Sequence, residues 1–376
     1  MQLAGDENYR HGAAGKIGVL LANLGTPAAP TAKAVRGYLR QFLSDPRVVE
    51  APRWKWLPVL FAVVLPFRAP RTARAYRKIW TADGSPLLLN CRAQRDAVAA
   101  AFAAAPVAVE LGMSYGAPSI ADALRKLKAQ NCRRIVALPL YPQYAGSTGG
   151  SVFADVAREL SRWRAAPHLR FVASYCDDER YIDALAGSIA AHRRTHGRPD
   201  KLVFSFHGTP RAMLDAGDPY YCHCQKTARL AAARLGLRDD EWTATFQSRF
   251  GRAEWLRPYT DETLRGLPRR GARDVQVVCP AFSSDCLETL EEIAVENREI
   301  FLRAGGARFG YIPALNDSPA HIEFLTALLR DNIGDWLSHL QKQNAAEVRD
   351  LQKQNAESLR RTLQNKDAES PPESPS

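Results

Sequence analysis

No run of this sequence is apolar for long enough to cross a bilayer. The greasiest stretch, PRWKWLPVLFAVVLPFRAP at 52–70, offers eleven residues from Leu57 to Phe67, interrupted by Pro58 and Pro66, where a spanning helix needs about 20. Cysteine is sparse: the seven (91, 132, 176, 222, 224, 279, 286) are scattered and odd in number, and several lie in apolar runs. That pattern excludes a disulfide scaffold and suits reduced thiols in a cytosol. The GxGxxG spacing and the P-loop lysine are both missing; NLGTP at 23–27 ends an apolar run as a phosphate loop would, but carries neither. Nucleotide binding is therefore disfavoured. Residues 1–15 contain acids and no apolar core of signal-peptide length, which predicts a frayed cytosolic start without export.

What is present is a chain of 376 residues, 46% apolar, enough for two domains with a substantial core. The net charge of +11 invites a nucleic-acid reading, but its distribution argues otherwise. Between Arg47 and Lys78 eight Lys or Arg face Glu50 alone, a net +7 in 32 residues flanking the greasy segment. A basic belt around an apolar wedge suits anionic lipid headgroups or an apolar ligand bearing carboxylates better than a phosphate backbone; a solvated basic face beside a buried helix is the plainer alternative.

Short β-rich runs alternate with helical stretches from Lys16 past Leu315, which predicts an α/β protein with parallel sheets covered on both faces. Strands are expected at 17–25, 107–115, 134–142, 169–176, 201–208, 242–250, 274–282 and 307–315. The order of elements in 112–144 is echoed in 247–282: strand end, loop, helix, Arg-rich turn, buried strand, then Pro and an aromatic. This predicts two doubly wound halves, 16–170 and 171–335, with a ligand cleft between them at the strand carboxyl ends. Beyond them, LQKQNAAEVRD (340–350) is followed by LQKQNAESLRR (351–361), an eleven-residue repeat placing Leu340, Val348, Leu351, Leu359 and Leu363 in one narrow stripe. A helical, coiled-coil-like tail over 336–366 is expected, self-associating through 340–363, meeting a lipid surface or standing solvated, with a disordered 367–376.

The chemistry concentrates at two strand ends. KLVFSFHGTP (201–210) projects His207 at the crevice rim, since Gly208 permits a sharp turn and Pro210 stops pairing. CPAFSSDCLETLEEI (279–293) delivers Glu288 to the first turn of a helix, where the dipole favours a carboxylate, with Glu292 and Glu296 following at four-residue steps. One His and one Glu across a cleft can hold a divalent metal in passing or move protons; they are too few for a permanent structural zinc site. The Cys222-His223-Cys224 triplet lacks a second thiol pair and reads as structural.

NLGTP (23–27), YRKIW with DGSPLL (76–88), YPQYAGSTGGS (141–151), SFHGTP (205–210), DPYYCHC (218–224), FQSRFG (246–251) and FSSDCLETLEEI (282–293) together make the sequence resemble the bacterial ferrochelatases, over about 17–333. The resemblance implies two flavodoxin-like halves in a chelatase fold, and insertion of Fe2+ into protoporphyrin IX as the last step of haem synthesis. It assigns metal binding and proton movement to His207 and Glu288, and porphyrin contacts to Leu24, Arg68, Tyr76, Ser85, Tyr144, Trp255 and Phe282; the carboxylate ladder adds Glu292 and Glu296 as a metal path or proton relay feeding Glu288. An apolar Leu24, where coproporphyrin-using relatives tend to carry Tyr, favours protoporphyrin. No cysteine follows Cys286, so a C-terminal [2Fe-2S] cluster of the kind some relatives hold is not expected, nor is any tightly bound cofactor; iron is substrate. The lip 52–70 then becomes the porphyrin mouth, implying a cytoplasmic protein peripheral to a membrane face. A coproporphyrin, cobalt or nickel chelatase and a non-catalytic porphyrin or haem carrier are the alternatives.

Overall fold

A computed structural model describes residues 15–251 and 253–340, together with the isolated positions 3, 5, 342 and 357. Most of the repeat at 340–363 lies outside the described residues.

All eight expected strands form: β1 (Lys16–Gly25), β2 (Val107–Tyr115), β3 (Cys132–Pro139), β4 (His168–Phe171), β5 (Lys201–His207), β6 (Trp242–Gln247), β7 (Asp274–Val278) and β8 (Arg308–Ile312). They make two four-stranded sheets of the same order, β2-β1-β3-β4 and β6-β5-β7-β8, and every pairing is parallel. The internal echo in the sequence is thus a repeat of topology. Several strands stop short of their expected carboxyl ends. The apolar letters there, such as Tyr141 after β3 and Ala281–Phe282 after β7, belong to loops that line a cavity, so hydrophobicity persists after pairing ends.

One continuous core joins the halves. It includes Ile17, Val19 and Leu21 of β1, Leu202, Phe204 and Phe206 of β5, and Leu325, Leu329 and Ile333 of the helix at 319–340. That last helix is tied to the first half: Arg170 at β4 makes a bidentate pair with Asp335 at 2.6 and 2.7 Å, and Arg330 lies over the Phe102 ring. The helix that follows β4, Glu179–His196, packs on β8 and on Tyr220–Arg234 of the second half.

The greasy segment, too short and too Pro-interrupted to span a bilayer, is helical throughout. Arg53–Val59, a π-turn at Leu60–Val64 and Leu65–Ile79 follow one another without a break, although Pro58, Pro66 and Pro70 each lack the amide a helix requires. The π-turn shifts the register, the Leu65 amide reaching the Leu60 carbonyl, just before Pro66 would have left a bond unmade. One face, Leu60, Leu65, Ala69, Ala73 and Tyr76, is buried; Trp54, Val59, Phe61, Val63 and Phe67 are exposed. Among the described residues no helix is long and apolar enough to cross a membrane.

Candidate active site

In sheets of this order the strand order reverses between β1 and β3, and between β5 and β7, which opens a crevice at the carboxyl ends of those strands. The residues found there come from both halves. An inner cavity of about 40 Å³ is lined by Asn23 and Leu24 at the end of β1 and Thr26 after it, Leu140 and Tyr141 after β3, Tyr38 and Tyr76 from neighbouring helices, Ser85 at the start of another, and Phe282, Ser284, Cys286 and Glu288 after β7. Leu24, Tyr76, Ser85, Phe282 and Glu288, expected from sequence, therefore meet.

His207 ends β5, and its ring lies 6.4 Å from that of Phe282. Its Nδ1 is 2.7 Å from the Gly208 carbonyl oxygen, which can only accept, so Nδ1 carries the proton and Nε2 is left as the basic nitrogen. Burial lowers the imidazole's pKa, the Glu288 carboxylate and the Gly208 carbonyl oppose that, and the Arg68 cation adds to it. The histidine is thus held neutral, with Glu288 and Arg68 close enough to act on it.

Gly208 turns the chain where the Gln247 carbonyl passes: its amide donates to that oxygen at 2.8 Å, and a Cβ would meet the same oxygen at 2.8 Å and the Trp255 ring at 3.2 Å. Trp255 is buried against Phe250 and Gly208, one layer behind His207. Arg68 reaches from the lip helix over the Phe250 ring at 5.1 Å, and burial lowers its pKa while Glu288 opposes. Tyr144 stands apart from the inner cavity. Its ring lies against Gly149 and its amide donates to His223 Nδ1 at 3.3 Å. That explains the histidine of the CHC triplet, whose two thiols occupy opposite environments, Cys224 buried and Cys222 exposed.

The glutamates are on a π-helix, Glu288–Asn297, a form that recurs at functional sites. They do not share one fate. Glu292 turns inward and accepts from the Ser248 amide at 2.7 Å, the Ser248 hydroxyl at 2.5 Å and Gln247 Nε2 at 3.2 Å; burial, with Glu288 adding to it, pushes its carboxyl up to about 7 despite these donors. Glu291 pairs with Lys78 of the lip helix at 2.6 Å, and Glu296 is exposed.

Several participants escaped the sequence reading. Tyr38 sits on the apolar face of Ala32–Leu43 and looks like any core aromatic until the fold brings it beside Glu288. Ser248 holds Glu292 from a positive φ of 68°, a conformation for which a serine gives no warning. Gly25 has a clearer reason: with φ at 106°, a Cβ there would lie 1.7 Å from the Tyr115 carbonyl oxygen, so the glycine of NLGTP serves close packing of β1 on β2.

Comparison with known proteins agrees with this geometry. The family model described as Ferrochelatase matches residues 16–333. The ferrochelatase of Thioalkalivibrio sulfidiphilus is 54% identical over 339 residues, 89% of this chain and 92% of that one; that of Azoarcus sp. is 54% identical over 331 residues, 88% and 91% of the two chains. The solved structure of SirB from Bacillus subtilis with Fe3+ superposes with a TM-score of 0.50 at 12% identity, covering 84% of this chain and 95% of that one, which is a likeness of fold. A second SirB structure, described as a sirohydrochlorin chelatase in complex with cobalt, gives the same TM-score of 0.50 at 13% identity. With two repeated halves closing on a histidine and a carboxylate, and relatives matched along nearly its whole described length, the chain belongs to the ferrochelatase family.

Proposed function

We propose that this protein inserts Fe2+ into protoporphyrin IX to give protohaem. The observation that carries this reading is the half-buried His207, whose Nδ1–H leaves Nε2 as the basic nitrogen and whose imidazole feels Glu288, a residue that lines the inner cavity together with apolar Leu24 and hydroxyl-bearing Tyr76 and Ser85 of the other half. Metalation replaces two pyrrole N–H protons by one Fe2+, so charge balances when both protons leave; a base that is neutral before the event and stabilised as a cation by a nearby carboxylate suits the task. His207 Nε2 accepts a proton, Glu288 offsets the charge that develops and assists metal passage, and Glu292, with its carboxyl near neutrality, carries protons onward along the π-helix. Walls that hold the ring bent expose its nitrogen lone pairs, favouring the transition state over the planar ground state.

The exposed face of the lip helix, with its flanking Arg and Lys, is suited to a membrane surface from which a poorly soluble macrocycle is drawn. The inner cavity of about 40 Å³ has room for only a few waters, so a macrocycle requires its walls to part. Anaerobic incubation with Fe2+ and protoporphyrin IX should quench porphyrin fluorescence and produce haem absorption. Binding without metalation would make the protein a carrier, and turnover only with coproporphyrin or with Co2+ or Ni2+ would move the specificity.

A further inference from the structure

Gln94 is a polar side chain with no solvent exposure, carried by the helix Pro86–Ala101 of the first half. All its hydrogen bonds go to the second half. Nε2 donates to the Ser283 carbonyl at 3.0 Å and to the Asn316 carbonyl at 2.8 Å, and Oε1 accepts from the Ser284 hydroxyl at 3.1 Å. The carbonyls fix which end of the amide is nitrogen. Two donors and one acceptor are matched at once, a set that Glu, Met or Leu in the same volume cannot supply.

The contacts continue to both walls of the cleft. On the first-half side, Cys91 lies one turn before Gln94, accepts from Asn23 Nδ2 at 3.2 Å and stands 3.7 Å from the Ser284 hydroxyl; Asn23 Oδ1 in turn accepts the Leu24 amide at 2.7 Å. On the second-half side, Asn316 and Asp285 exchange two hydrogen bonds of 2.8 Å each, and Asp285 accepts from Thr289 Oγ1 at 3.0 Å. Thr289 follows Glu288. Ser283 spans the same gap, donating to the Leu140 carbonyl at 2.8 Å.

We infer that Gln94 is a positioning residue for metal insertion, setting the spacing between the Leu24 wall and the Glu288 wall of the cleft. The inference rests on the function proposed above. A cleft that bends its substrate has to resist being pushed open by it, and apolar packing alone yields more readily than a buried network with every donor and acceptor satisfied. Gln94 does not itself line the cavity, but Ser283 and Ser284, to which it is bonded, do, so its effect passes through them and through Asn316.

The test is Gln94→Met in the full chain, which keeps volume and removes all three bonds. Its porphyrin KM should stay within about threefold of wild type while kcat falls about tenfold or more, the signature of an interaction expressed in the transition state. Resonance Raman spectra of bound protoporphyrin IX should show weaker out-of-plane bands, which a merely structural role would leave unchanged once the folded fraction is matched. Unchanged kcat and bands, or a rise in KM alone, would overturn the inference. If Gln94→Met fails to fold, Ser284→Ala, which removes one of the three bonds, is read in the same way, with a smaller fall in kcat and weaker bands expected. Wild-type protein that binds but never metalates would defeat the proposed function instead, so the two failures are distinguishable.

Discussion

Glu292 shows how one residue's surroundings set its chemistry. It accepts three hydrogen bonds, which favour the carboxylate, yet burial and Glu288 outweigh them and raise its carboxyl to about 7. A folded-state pKa above the unfolded value means that the native protein holds the proton longer; stability falls as pH rises from the ordinary carboxylate range, and the loss is complete above about 7. Glu292→Gln should therefore melt a few degrees higher than wild type at pH 8, the gain vanishing by pH 5. A Tm difference independent of pH would contradict this. Gly25 makes a second residue-scale prediction. A Cβ 1.7 Å from the Tyr115 carbonyl at φ 106° combines a clash with backbone strain, and Gly25→Ala should cost roughly 3 kcal/mol or more in chemical denaturation. A loss below about 1 kcal/mol would show that β1 and β2 can part cheaply there.

Among the elements, the lip helix was the least legible in the sequence and the strands the most. Eight apolar runs became eight strands because a strand covered on both faces needs little beyond hydrophobicity and a stop. Three prolines in 53–79 mislead for a physical reason: each forbids one α-helical bond, but a π-turn between Pro58 and Pro66 reroutes the ladder, and that rerouting has no residue signature. The positions of His207 and Glu288 at the crevice were legible because one ends a buried strand and the other opens the helix that follows one; those of Tyr38 and Ser248 were not, since their proximity to the glutamates depends on helix packing and a positive φ. The lip's outer face should bind membranes. Trp54→Ser with Phe67→Ser, both about three-quarters exposed at 75% and 77%, should reduce sedimentation with anionic liposomes at least tenfold without changing Tm; undiminished sedimentation would leave those aromatics without a membrane role.

At the scale of the whole molecule, two sheets of one order face each other across a shared core, and each half supplies what the other lacks. The second half brings His207 and Glu288; the first brings Leu24, Tyr76 and Ser85. The repeat was visible in the sequence as an order of elements. The crossing of the 319–340 helix onto the first half was not, because Arg170–Asp335 and Arg330–Phe102 join residues more than 160 and 220 positions apart. The central claim is that this shared cleft metalates a porphyrin through His207 and Glu288. Its most direct test is the anaerobic rate of protoporphyrin IX fluorescence loss with Fe2+ for wild type, His207→Ala and Glu288→Ala, with porphyrin affinity measured in parallel. The account predicts turnover by wild type and at least a hundredfold loss in each variant with affinity retained; variants that turn over like wild type would contradict it.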